Sequence, residues 1–126
     1  MRDDPTVSVR IIVDDVAESV GFYVRHFGFE VLNQFPPFAD VKRGNLRLLL
    51  SGPKSSAAQP MEDGTRPVAG GWNRIHFVVD DLAAEVARLT AEGVEFRNPV
   101  VSGPGGSQAL VMDPSGNLIE LFQPAA

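Results

Sequence analysis

Two stretches of the chain repeat one order of apolar and polar positions. Residues 7–13 (VSVRIIV) are rich in β-branched side chains and run into Asp14-Asp15; residues 73–79 (NRIHFVV) have the same character and run into Asp80-Asp81. β-Branched residues suit a pleated, half-buried strand. A short carboxylate directly afterwards accepts hydrogen bonds from the unpaired amides of a helix's first turn, so each acidic pair predicts a helix start. Val16, Val20, Tyr23, Val24 and Phe27 then recur at helical spacing until Gly28, and Leu82, Val86 and Leu89 do so until Gly93. Glycine takes the left-handed conformation cheaply and ends both runs.

Short strand candidates follow each glycine: residues 30–35, 39–42 and 46–50 in the first copy, and 96–101, 108–112 and 118–122 in the second. Gly44-Asn45 and Gly116-Asn117 are expected to turn the last hairpin of each copy. A longer loop is expected at residues 102–107 (SGPGGS). The reading is one domain over residues 1–126, with a first module at 7–50, a linker dense in Pro, Gly and Ser at 51–71, and a second module at 72–124. Two copies are too few for a solenoid and suggest a pseudo-twofold pair.

Composition narrows the function classes. Among 126 residues, 16 acidic against 11 basic side chains give a net charge of −5, with no basic cluster to form a nucleic-acid footprint. The absence of cysteine excludes disulfides, thiolate metal sites and a cysteine nucleophile. Met1-Arg2-Asp3-Asp4-Pro5 lacks the apolar stretch of a signal peptide, and no apolar run reaches membrane-spanning length. The expectation is a cytoplasmic protein with no membrane partner.

Two segments carry a family resemblance: Ser19-Val20-Gly21-Phe22-Tyr23 leading to Phe27-Gly28-Phe29-Glu30-Val31, and, more specifically, Asp113-Pro114-Ser115-Gly116-Asn117-Leu118-Ile119-Glu120-Leu121-Phe122. Through them the chain resembles the vicinal oxygen chelate superfamily, which includes glyoxalase I, bleomycin-resistance proteins, extradiol dioxygenases and some epimerases. The resemblance covers essentially the whole chain. It implies an α+β fold of two tandem βαβββ modules forming a curved, cup-shaped mixed β-sheet, and a homodimer.

In metal-using relatives, an imidazole or carboxamide stands on the first strand of each module and usually a carboxylate on the last. Counting back five residues from Val13 and Val79 gives Ser8 and Arg74. The last strand of the second module gives Glu120, and alignment of the Gly-Asn turns gives Leu48 in the first. Leucine has no lone pair, serine is a weak neutral donor, and guanidinium is permanently cationic. The resemblance thus implies no metal and no cofactor, with closest character to metal-lacking bleomycin-resistance-like members. Arg74 is expected to take the place of the metal and pair with Glu120.

Strand period places Ser8, Arg10 and Ile12, Leu46, Leu48 and Leu50, Arg74, His76 and Val78, and Leu118, Glu120 and Phe122 on the cup face. The ligand-binding candidates are Arg10, Leu48, Trp72, Arg74, His76, Glu120 and Phe122. Polar groups converging among apolar walls are the usual make-up of a small-molecule pocket. Arg10 is a candidate for an anionic ligand or for a salt bridge. Phe35 and Phe38 are read as packing or dimer contacts, and Trp72 equally as packing or as a stacking platform. The function expected is metal-independent binding of an aromatic or amphipathic metabolite or antibiotic. The alternative is a lyase, isomerase or cyclase with His76 and Glu120 as acid-base pair. A metal-dependent glyoxalase or dioxygenase is disfavoured by the ligand count.

Overall fold

A computed structural model describes residues 2–126. The chain divides into two compact units, the first ending at Ala69 and the second beginning at Gly70.

The first unit runs β1 (Val7–Ile12), α1 (Val16–Phe27), β2 (Glu30–Phe35), β3 (Phe38–Arg43), β4 (Leu46–Ser51), and then a short 3-10 turn at Ser56–Ala58. The sheet order is β1-β4-β3-β2. β1 lies parallel to β4, and the other pairs are antiparallel. Asp15 caps α1 by accepting from the Glu18 amide, and Gly28 ends it at φ 69° with its own amide donating to the Tyr23 carbonyl. The buried stripe of α1, with Val16, Val20, Tyr23 and Phe27, covers one face of the sheet, where Ala39, Val41, Leu48 and Leu50 are fully buried. Burying a side chain the size of leucine contributes about 2 kcal/mol, so this layer is the unit's main source of stability.

The second unit runs β5 (Arg74–Val78), α2 (Leu82–Ala91), β6 (Glu95–Phe96), β7 (Val101–Gly103), β8 (Gly106–Met112) and β9 (Leu118–Pro124). Its sheet order is β5-β9-β8-β6, with β7 also pairing β8. β5 is parallel to β9. Asp81 caps α2 by accepting from the Ala84 amide, and the Leu82 amide donates to Gln123 Oε1 at 2.7 Å, which ties the helix to β9. Leu82, Leu89 and Val94 pack with Ala109, Val111, Ile119 and Leu121 in the core.

Two expected details are corrected. The continuous strand at 96–101 is two pieces, β6 and β7. Pro99 between them has no amide to give the ladder, and the Leu110 amide is taken instead by Asn98 Oδ1 at 2.9 Å. The loop expected at 102–107 is a tight hairpin, with Ser102 opposite Ser107 and Gly103 opposite Gly106.

The last hairpins also differ. Arg43 pairs with Leu46 across the two residues Gly44-Asn45. Met112 pairs with Leu118 across the five residues 113–117. The longer turn closes around the buried Asp113, whose Oδ1 accepts from the amides of Ser115 and Asn117, both at 2.9 Å.

Candidate functional site

The turn difference decides which residues of β4 share a face with Arg10. Register places Ser8 beside Arg47, Arg10 beside Leu49 and Ile12 beside Ser51. Leu48 pairs with Val9 and is fully buried on the helix side. The expectation that Leu48 lines the cup face is therefore corrected, and Leu46 and Leu50 move with it. Aligning the two Gly-Asn turns slipped β4 by one residue, and a one-residue slip exchanges the faces of a whole strand. Leu49, not Leu48, is the structural counterpart of Glu120, since Arg10 pairs with Leu49 and the matching His76 pairs with Glu120.

In the second unit the register of β5 and β9 sets His76 beside Glu120, Arg74 beside Leu118 and Val78 beside Phe122. Period two brings all six to the sheet face opposite Ile75, Phe77, Ile119 and Leu121. Arg74 Nη1 lies 3.5 Å from Glu120 Oε1, and His76 Nε2 lies 3.3 Å from Glu120 Oε2. Both contacts are longer than the roughly 2.7–2.9 Å of a tight charge-assisted bond. The Glu120 carboxylate, 12% exposed in its side chain, is thus approached by two nitrogen groups and gripped by neither. The His76 ring lies 5.2 Å from the Phe122 ring, which gives the imidazole an apolar backing.

Arg97 joins this site and was missed in the sequence. The Arg97 amide donates to the Leu110 carbonyl at 2.8 Å, which continues the β6–β8 ladder by one residue. Leu110 pairs with Glu120, so Arg97 ends the row that begins at His76. Its guanidinium lies 5.3 Å from the centre of the exposed Trp72 ring, while Arg74 Nε donates to the Trp72 carbonyl at 3.3 Å. Arg97 falls within the strand expected at 96–101, but the expected site draws only on the first and last strand of each module; period two along that strand is the signal that places Arg97 on this face.

In the first unit Arg10 Nη1 donates to Ser51 Oγ at 2.9 Å, and its guanidinium carbon lies 6.0 Å from the Phe38 ring centre. Across the same face Arg47 Nε donates to Asp40 Oδ2 at 2.7 Å. A separate hollow of about 380 Å³, lined by Val86, Val94, Phe96, Pro99 and Val100 among others, is walled by α2 on the helix side of the second sheet. Arg74, His76, Arg97 and Glu120 are not among its lining residues.

These residues can be tested against the metal that the fold implies. Among the described residues no three His, Cys, Asp or Glu side chains gather in one place. The second unit supplies two donors, His76 and Glu120, and a permanent cation that approaches the same carboxylate. Such a set does not fit a resident dication, which needs three or more protein donors or several oxygens. What it can do is bind polar groups of a ligand and hold or move a proton between imidazole and carboxylate.

The chain is 31% identical over 123 residues to the uncharacterized protein YwkD of Bacillus subtilis (strain 168), covering 91% of this chain and 93% of that one. A solved member of the Glyoxalase/bleomycin resistance protein/dioxygenase superfamily from Sphaerobacter thermophilus DSM 20745 is 30% identical, with a TM-score of 0.74 and coverage of 94% of this chain and 95% of that one. TnmS3, an antibiotic binding protein from Streptomyces sp. CB03234, is 28% identical, with a TM-score of 0.70 and 95% of each chain covered. Residues 6–121 match the model of the Glyoxalase/Bleomycin resistance protein/Dioxygenase superfamily. The chain, α+β with a mixed sheet in each βαβββ unit, belongs to that superfamily.

Proposed function

We propose that the chain is a metal-independent small-molecule-binding protein that sequesters an aromatic or amphipathic metabolite or antibiotic. The observation that carries this reading is the guanidinium of Arg74 beside Glu120, at a position where metal-using relatives supply a neutral ligand. Arginine sets a permanent cation beside the carboxylate without a metal, and the long contact leaves both groups free to bond to a ligand. Trp72 with Arg97 offers an aromatic platform, and Phe122 behind His76 offers an apolar wall. Support also comes from TnmS3, itself an antibiotic binding protein. The proposal includes a homodimer, checked by light scattering on the eluting protein.

Trp72 is the single tryptophan, so its fluorescence reports on this site alone. Titration with planar aromatic compounds is expected to quench it saturably in protein freed of metal by chelation. Quenching that appears only after iron, nickel or zinc is restored would overturn the reading. A second reading is favoured by the 3.3 Å contact of His76 with Glu120: a lyase, isomerase or cyclase in which His76 exchanges a proton and Glu120 orients the imidazole. A His76→Ala variant that keeps affinity but loses turnover of a bound compound would select it.

A further inference from the structure

We infer that the sheet face of the first unit is a binding site for an organic acid, with the ligand's carboxylate on Arg10 above Leu49. The two units carry matching rows across their sheets. In the second unit the row pairs His76 with a carboxylate, Glu120. In the first the same row pairs Arg10 with Leu49. The nitrogen side is thus present, as a permanently charged guanidinium, while the anionic side is missing.

Among the described residues Arg10 meets no carboxylate. It meets the fully buried Ser51, whose hydroxyl accepts from Nη1, and the face of Phe38. Both contacts hold the guanidinium in place and neither neutralises it. An arginine fixed in this way loses little freedom on binding and offers a planar fork of donors that matches a carboxylate. Arg47 cannot lend its own anion, because Asp40 already accepts from its Nε. Glu30 shares this face through Lys42, its partner across β2 and β3.

A second observation points to the other end of the ligand. Asp40 pairs with Leu49 on the side away from Arg10. Its side chain is 1% exposed and Oδ1 has no hydrogen-bond partner. Leaving such an acceptor unmet costs about 1–3 kcal/mol. The row therefore reads anion receptor, apolar floor, hydrogen-bond acceptor, over two strand spacings or about 10 Å of backbone. A hydroxy acid with a flat apolar body matches all three, the hydroxyl donating to Asp40 as the Arg47 side chain gives way.

This inference rests on the reading of the chain as a small-molecule binder. Calorimetric titration with 2-naphthoate, 2-naphthamide and 6-hydroxy-2-naphthoate tests it. The acid is expected to bind roughly 10-fold or more tightly than the amide, the range for a hydrogen bond to a charged group, and the hydroxy acid tighter again. Arg10→Met should bind acid and amide equally. Leu49→Glu, which rebuilds the second unit's pairing and satisfies Arg10 internally, should abolish the preference while Arg10 remains. Equal binding of acid and amide to the unaltered protein, or a preference that survives in Arg10→Met, overturns the inference and leaves the binding function standing. No binding of any of the three overturns both.

Discussion

Arg47 is the only side chain that hydrogen-bonds the Asp40 carboxylate among the described residues, at 2.7 Å through Nε. The acid is buried and the arginine is partly open to solvent. Removing the arginine leaves a buried charge unmatched, a strongly destabilising change in fully buried pairs. Arg47→Ala is expected to cost about 2–3 kcal/mol, discounted because Arg47 keeps solvent contact. Urea unfolding measures it, and the double variant Asp40→Leu with Arg47→Met should recover most of the loss.

Gly106 begins β8 at φ 148°, and a Cβ there would run into the Gln123 carbonyl oxygen and lie 2.9 Å from the Phe122 ring. Nothing in the backbone of β9 can yield without breaking the ladder. Gly106→Ala should therefore cost roughly 2–3 kcal/mol. It should also loosen the end of β9 that carries Phe122, seen as faster amide exchange at Phe122 and Gln123.

Arg74→His replaces the cation beside Glu120 with a neutral donor on the same strand face as His76. The three side chains then make a donor set suited to zinc. The variant is expected to retain zinc through gel filtration and the unaltered protein to lose it. Equal retention by both would count against the part assigned to Arg74.

Trp72 and Arg97 are in contact at an exposed site, where a cation–π pair contributes about 0.5–1 kcal/mol. Arg97→Ala should leave global stability nearly unchanged while freeing the indole. The expected readout is a red shift of Trp72 emission and weaker quenching by planar aromatic compounds than in the unaltered protein.

Much of the fold was legible because local chemistry and periodicity agreed. Asp15 and Asp81 cap the helices they were read to start, and Gly28 ends α1 in the left-handed conformation. The grouping of Arg74, His76, Glu120 and Phe122 on one face followed from period two alone. The first unit's face did not, because register depends on turn length, and Gly-Asn follows β3 directly but stands three residues beyond the end of β8. Arg97 escaped for another reason: it lies within the strand expected at 96–101, while the expected face residues come only from the first and last strand of each module.

The two hairpin turns have a consequence for how this protein can be altered. Deleting one residue from 113–117 so that the β8–β9 register slips by one would carry Glu120 into the core and bring Ile119 and Leu121 out, since every side chain of β9 would change sides together. A substitution edits the site one group at a time; a change of turn length edits the whole row. Asp113, bonded to two amides and to the Asn117 side chain, fixes that length. It acts as the register pin of the site's chemistry.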